Sequence, residues 1–202
     1  MESKKSTVTI IIGVIVVIVI VAIVALVFGG NHGPAGGGTS ATAPSSGAPA
    51  LYASSADGFS IGFPGTPQVT QTSFASPTAG SIAMTEYKEG SSHGSIGAYY
   101  AVYVVHYPAG YQFSNAYLNG ALKEYVKIVN SEHSGAALAN QTSTQVAGHA
   151  AVSALVTVPI VGFTTDNYVA VTANGSNAYI VSTYGMGQSD FNSFVSSLTF
   201  AQ

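Results

Sequence analysis

The sequence predicts an α+β domain, an antiparallel sheet with helices packed on it, preceded by a single transmembrane helix. Three observations lead to this prediction. One apolar run is uninterrupted over residues 8–28, short segments after residue 58 alternate apolar with polar residues, and two later segments repeat apolar residues at helical spacing. Consecutive strands joined by short turns pair antiparallel and so form one sheet. The helices are expected to pack on the faces of that sheet.

The run at residues 8–28 contains no charged residue. At a helical rise of about 1.5 Å per residue it spans about 31 Å, which matches the roughly 30 Å hydrocarbon core of a bilayer. Lys4 and Lys5 precede the run, and the next Lys or Arg is Lys88. The positive-inside rule therefore predicts a single-pass protein of the cell membrane, with residues 1–7 as a cytoplasmic tail and the C-terminal domain outside.

Two alternatives to a membrane anchor remain open. A cleavable signal peptide has an apolar region of about 7–15 residues before a small-x-small cleavage site. Here the run is longer, and it ends on Leu26, Val27 and Phe28. A pilin-like assembly helix also follows basic residues, but the bacterial form carries a Glu near the start of its helix, and this run has none.

The segment after the apolar run is typical of a spacer. Residues 29–50 consist almost entirely of Gly, Ala, Ser, Thr and Pro. Such a segment buries too little apolar surface to offset the entropy lost on ordering. We therefore expect a flexible linker that holds an extracytoplasmic domain, residues 51–202, away from the membrane.

The composition excludes several functions and attachments. Charged residues make up 6% of the chain, against roughly 25% in an average soluble protein. With no Cys, the chain has neither a disulfide nor a lipid-modified cysteine. With no Arg, few Lys and a net charge of −3, the sequence predicts no nucleic-acid partner, because phosphate binding depends on basic side chains.

Alternation predicts the first strands of the domain. Residues 59–63 alternate Phe, Ile and Phe with Ser and Gly, which indicates a half-buried strand, and residues 64–67 (PGTP) predict a turn. An edge strand is expected at residues 68–74 and a further strand at residues 81–88. Residues 98–107 are apolar on both faces, so this strand should lie centrally, with helices over it.

Helical spacing and further alternation complete the domain. Ser114 is a candidate N-cap for a helix whose apolar stripe is Leu118, Leu122, Tyr125 and Val129, with Glu124 and Lys127 on the wetter side. Strands are then expected at residues 141–146, 150–160, 163–173 and 178–184, with turns at Gly148-His149 and Asn174-Gly175. A last helix carries Phe191, Phe194, Val195 and Leu198 and should begin near Ser189 or Asp190.

Residues 57–67 (DGFSIGFPGTP) resemble the opening F-x-I-x-F-P-x-x-P of PsbP-like domains, including LpqN-type exported bacterial proteins. The later helix, the Gly148-His149 turn, the Asn174-Gly175 hairpin and the closing residues 191–200 are also similar. The resemblance covers about residues 51–202. It implies a small α/β/α sandwich, often tethered outside a membrane, with mostly non-enzymatic binding or assembly roles, and it supplies no catalytic residues.

The residue types that could carry catalysis or bind a cofactor or metal do not occur in a recognisable site pattern. Ser60 lies in a literal G-x-S-x-G, but a nucleophile elbow needs a helix directly after the serine, whereas a strand continues here. Four histidines lack the spacing of metal ligands, namely His93, His106, His133 and His149. Glu86 and Glu89 flank Lys88 at a strand end and are expected to be solvated.

Tyrosine is the one residue type whose abundance in this chain suggests a function. The chain has 12 Tyr, and six of them crowd residues 99–117. Tyrosine supplies rigid amphipathic contact area, so a partner surface is predicted at four positions: Tyr99, Tyr103, Tyr107 and Tyr111. The alternative is that these tyrosines fill sheet positions, which suit their β-propensity.

These observations together predict a non-enzymatic, membrane-anchored binding or envelope-assembly protein. Residues 8–28 contact the lipid bilayer, and the outer domain binds an envelope protein, a lipid or a polymer. No cofactor is expected, and the sequence does not predict the oligomeric state. The two alternatives are a pilin-like surface assembly subunit and, less favoured, a serine hydrolase that uses Ser60.

Overall fold

Two antiparallel sheets and two helices make up the part of the chain that the computed structural model describes, residues 50–76, 80–91, 97–160 and 162–201. The strands are β1 Ala50–Ser54, β2 Phe59–Phe63, β3 Gln68–Ser76, β4 Gly80–Ser91, β5 Ala98–His106, β6 Ala137–Val146, β7 His149–Ile160, β8 Phe163–Asn174, β9 Asn177–Tyr184 and β10 Thr199–Phe200. The helices are α1 Asn115–Glu132 and α2 Gln188–Ser196. The α+β class with antiparallel pairing is therefore confirmed.

The N-terminal predictions fall mostly outside this described part. Residues 8–28, predicted to span the membrane, and residues 29–49 of the predicted linker are not among the described residues. Among those that are, no helix is both long and apolar enough to cross a bilayer. Ala50, which we assigned to the linker, opens β1 instead, a strand that the sequence did not predict.

The large sheet has seven strands in the order β3-β4-β5-β9-β8-β7-β6. Every neighbouring pair is antiparallel. The predicted edge position of β3 is confirmed, and β5 is flanked by β4 and β9. As predicted, β5 is buried on both faces: Tyr103 and Val105 belong to one hydrophobic core, and Val102 and Val104 belong to the other.

Helix α1 covers one face of the large sheet, over β6, β7 and β8. It begins where the sequence predicts, because the Ser114 side chain caps the helix by accepting a hydrogen bond from the Tyr117 amide at 3.2 Å. The predicted stripe is buried in the core of this face. Glu124 was expected on the wetter side but is buried, with Lys127 Nζ 2.6 Å from its carboxylate.

The opposite face is covered by both α2 and a small sheet of order β1-β2-β10. The predicted α/β/α sandwich did not include this small sheet. From β2, Phe59, Ile61 and Phe63 point into the second core, where Phe191 and Phe194 of α2 join them. Alternation alone identified β2 as a strand, but the strand's place over the large sheet depends on contacts distant in sequence.

Two tight turns follow their predicted positions closely. The hairpin between β8 and β9 pairs Asn174 with Asn177, so its tip is Gly175 and Ser176, one residue later than predicted. Gly175 adopts a φ of 59°, which glycine tolerates without strain. Between β6 and β7, both Ala147 (φ 50°) and Gly148 (φ 80°) are left-handed, the pattern of a type I′ turn.

Replacing Ala147 by Asn should stabilise the domain. An alanine in the left-handed region costs about 1 kcal/mol, whereas Asn-Gly is the preferred pair for this turn. Ala147→Asn is therefore expected to raise the free energy of unfolding by about 0.5–1 kcal/mol in urea denaturation. Ala150→Asn, at an exposed position of β7, is the control and should give no gain. An equal gain in both variants would contradict the turn assignment.

Candidate functional site

A buried polar network joins the small sheet to the large one. Its centre is Asp57, in the turn between β1 and β2, which is 4% exposed. The Tyr87 hydroxyl of β4 donates a short hydrogen bond to Asp57 Oδ2. His106 Nε2 of β5 lies 3.3 Å from Asp57 Oδ1. Burial and the hydrogen bond to Asp57 together raise the pKa of Tyr87, so this phenol stays protonated.

His106 has protein partners on both ring nitrogens. Nδ1 lies 3.1 Å from Asn177 Oδ1, and Nε2 lies 3.2 Å from Thr85 Oγ1 as well as close to Asp57. Tyr179 adds a further link by donating its hydroxyl to the Asp57 carbonyl at 2.8 Å. A recess of about 360 Å³ opens beside this network. Because both nitrogens are engaged within the fold, His106 acts as a packed histidine that connects β5, β9 and the β1–β2 turn.

Ser60 occupies a place unlike that of a hydrolase nucleophile. It lies inside β2, as the alternation predicts, and its hydroxyl is 2.7 Å from the Thr199 hydroxyl of β10. The strand continues to Phe63, so the sharp strand-to-helix turn of a nucleophile elbow is not formed at this position.

The other described histidines make separate aromatic contacts. His133 follows α1 and stacks on Tyr184 at 6.1 Å, and His149 packs edge-on against Phe200 at 5.0 Å. His93 lies outside the described residues. Within the described ranges, no three His, Cys, Asp or Glu side chains are grouped to hold a metal ion.

The four tyrosines of the predicted partner surface divide between core and surface. Tyr103 and Tyr107 are 5% and 6% exposed and therefore belong to the core. Tyr111 is half-buried and stacks on Tyr107 with ring centroids 4.5 Å apart. Tyr99 is half-buried and stacks on Tyr184 at 5.3 Å. The described structure thus offers Tyr99 and Tyr111 in part. Tyr103 fills a sheet position in β5, and Tyr107 is a core residue that follows directly after that strand.

An open recess at the β3–β4 edge of the large sheet is the strongest candidate for a binding site, and we call it the Glu86 recess. Its volume is about 350 Å³. Its lining comes from β3, β4 and the turn before β3, and all of it except Gly90 carries a polar side chain: Thr66, Gln68, Thr70, Glu86, Lys88, Glu89 and Gly90. Hydroxyl, amide, carboxyl and ammonium groups therefore converge on one opening.

Glu86 is unusual in this recess because it is buried and incompletely paired. It is 9% exposed, and its Oε1 atom has no hydrogen-bond partner among the described residues. We expected Glu86 at a solvated strand end, and that expectation is wrong. The signal was present in the sequence: residues 82 and 84 of the same strand are apolar, so the alternation places Glu86 on the core-facing side of β4.

Burial sets the electrostatics of the recess. Desolvation raises the pKa of Glu86, and the Lys88 ammonium and a hydrogen bond from Tyr103 only partly counter it. Desolvation also raises the pKa of Glu89. The Lys88 ammonium lies over the Tyr99 ring, 4.2 Å from its centroid. The recess therefore holds two carboxyl groups that retain protons more readily than usual, beside one cation that faces an aromatic ring.

The raised pKa of Glu86 predicts how stability changes with pH. The folded state retains the Glu86 proton above the ordinary value of 4.5, so the free energy of unfolding should fall as pH rises from that value through the folded pKa. Glu86→Gln removes this contribution and should be more stable than the parent chain at neutral pH. Urea titrations at a series of pH values measure both. A parent chain that gains stability from Glu86 as pH rises would contradict the burial.

Comparison with known proteins supports the fold. No protein-family model matches the chain, and no curated protein matches it. Among solved structures, the chain is similar to the solution structure of cyanobacterial PsbP (CyanoP) from Synechocystis sp. PCC 6803. The TM-score is 0.54 and the identity 16%, and the match covers 83% of this chain and 99% of that one.

Two further structures are more distant. A crystal structure from Bacteroides thetaiotaomicron VPI-5482 has a TM-score of 0.36 and 11% identity, covering 71% of this chain and 45% of that one. The protein of unknown function PA94 from Pseudomonas aeruginosa has a TM-score of 0.32 and 13% identity, covering 72% of this chain and 88% of that one. The similarity to cyanobacterial PsbP confirms the PsbP-like fold that residues 57–67 indicated, and it concerns the fold alone.

Proposed function

We propose that this chain, whose described domain has a PsbP-like fold, is a membrane-anchored, non-enzymatic binding or envelope-assembly protein. The apolar run at residues 8–28 is the proposed anchor, and the Gly- and Ala-rich residues 29–49 are the proposed spacer. The flanking lysines favour an extracytoplasmic position for the folded domain.

The observation that carries the binding function is the orphaned oxygen of Glu86. A buried carboxyl oxygen without a partner costs about 1–3 kcal/mol in a folded protein, and Glu86 Oε1 is in this position while its residue lines an open recess. A ligand that donates a hydrogen bond to Oε1 would remove that cost on binding. The same recess supplies Thr70 and Gln68 for further polar contacts.

Tyr99 connects the recess with the surface that the tyrosine excess predicted. Lys88 lines the recess and also lies over the Tyr99 ring. Tyr99 is half-buried and faces its neighbour Tyr184 in a stacked geometry, with an angle of 8° between the rings. A bound partner would thus meet polar groups in the recess and a rigid aromatic ring at its border, a combination common in interfaces.

Site-specific photocrosslinking tests this function in the full chain inserted in native membranes. A benzoylphenylalanine at Thr66, an exposed residue that lines the recess, reports contacts made there. The same group at Thr144, an exposed residue of β6 on the far edge of the sheet, is the matched control.

We expect a crosslinked product from position 66 that position 144 does not give and that Glu86→Ala removes. Equal products from the two positions, or a product from position 66 that persists in the Glu86→Ala variant, would contradict a binding function for this recess.

A further inference from the structure

The geometry points to a primary ammonium group as the chemical class that the Glu86 recess binds, with Glu86 Oε1 as its principal acceptor. This inference rests on the proposed binding function and names the ligand chemistry of the same site. The ammonium group could belong to a lysine side chain of a partner protein or to an amino sugar of an envelope polymer.

The first argument concerns what the buried oxygen lacks. Oε1 is an acceptor with no donor among the described residues, while the Tyr103 hydroxyl already donates to the same carboxyl group. In the ionised form of Glu86, Oε1 can only accept, so a ligand that binds this form must bring a donor. A charged donor is favoured for two reasons. Hydrogen bonds with an ionised donor or acceptor are roughly twice as strong as neutral ones, and a nearby positive charge also favours the ionised carboxylate.

The second argument concerns the charge that faces Glu86 from each neighbouring element. On its own strand, β4, the nearby charged groups are Glu89 and Lys88. From β3 the residue paired with Glu86 is Thr70, which is uncharged, and from β5 it is Tyr103. The recess thus contains two carboxyl groups and one ammonium.

Lys88 does not cancel this imbalance. Its ammonium lowers the pKa of Glu86, but desolvation outweighs that effect, and the ammonium also faces the ring of Tyr99. Burial raises the pKa of both carboxyl groups above the ordinary value for Glu. A second cation beside Oε1 would favour the ionised form of Glu86, so its binding should release a proton and should strengthen as the pH rises.

The test uses two pairs of probes with the full chain in lipid nanodiscs. The first pair is a short lysine peptide and the same peptide acetylated on the lysine side chain. The second pair is the glucosamine disaccharide and its N-acetylated form. Each pair differs in one ammonium group, and the two pairs distinguish a protein source from a polysaccharide source. Titration calorimetry at about pH 4.5 and about pH 7 measures the dissociation constants on both sides of the ordinary Glu titration.

We expect the ammonium-bearing member of at least one pair to bind about tenfold more tightly than its acetylated form, and more tightly at the higher pH. Glu86→Gln should weaken this binding about tenfold and remove its pH dependence, and Thr70→Val should weaken it less. Glu124→Gln, which alters a buried carboxyl on α1, is the matched control and should bind as the parent does.

Three results would overturn the ammonium assignment: equal binding of the acetylated forms, parent-like binding by Glu86→Gln, or no binding by any probe. With each of these results, a crosslinked product at position 66 that depends on Glu86 would still support the proposed function. Loss of that product would contradict the function itself, so the two failures are distinguishable.

Discussion

Replacing Asp57 by Ala is expected to lower the free energy of unfolding by about 3 kcal/mol. Asp57 is 4% exposed, and its two carboxylate oxygens serve Tyr87 and His106. Its removal takes the shared carboxylate from a buried phenol and a partly buried imidazole. The Ser54 hydroxyl at 2.8 Å and the Thr85 hydroxyl at 3.2 Å are then their remaining partners at this end of the network. The loss should be measured by urea denaturation of the full chain in detergent, followed by circular dichroism.

Asp57→Asn is the matched control for this prediction. The amide oxygen still accepts the hydrogen bond from Tyr87, while the negative charge beside His106 is lost. We therefore expect a smaller destabilisation, of about 1–2 kcal/mol. Equal effects from Ala and Asn would show that charge and not hydrogen bonding joins the two sheets here. A loss below about 0.5 kcal/mol for Ala would contradict the network itself.

Replacing Phe63 by Ala should have an effect of similar or greater size, about 3–5 kcal/mol. Phe63 is fully buried, and its ring packs edge-on against Phe194 at 5.1 Å and against Tyr52 at 6.0 Å. The change would open a cavity among β2, β1 and α2. Because this layer and the large sheet share one core, we expect a single unfolding transition at lower urea concentration.

Phe163→Ala is the control, since it makes the same chemical change at a phenylalanine that is 43% exposed. Its effect should be about 0.5 kcal/mol or less. Similar losses in both variants would contradict the packing of the small sheet on the large one. A separate early transition in Phe63→Ala alone would show that β1, β2 and α2 unfold independently of the large sheet.

The sequence predicted the elements whose signal is local. The apolar stripe and the Ser114 cap identified α1, and alternation identified β2 and most strands of the large sheet. It missed β1, where Leu51 is 69% exposed and no alternation of apolar residues is visible. It also placed the start of β6 too late, because a bulge at Asn140, with a φ of 50°, interrupts the period of two.

The sites were harder to predict because their partners are distant in sequence. Asp57 meets Tyr87 across 30 residues and Tyr179 across 122. No local pattern marks such pairs, so neither the buried role of Asp57 nor the partners of His106 could be identified from the sequence. Glu86 differs from these residues because a local pattern, the alternation in β4, places it on the core-facing side. A solvated position was expected only because the residue is acidic.

The central claim, a folded binding domain held at a membrane by residues 8–28, is tested most directly by intact mass spectrometry of the native protein from separated membrane and soluble fractions. The account predicts the uncleaved chain in the membrane fraction, released by detergent and not by high salt. A soluble mature form that lacks about the first thirty residues, as signal-peptide removal would produce, would contradict it.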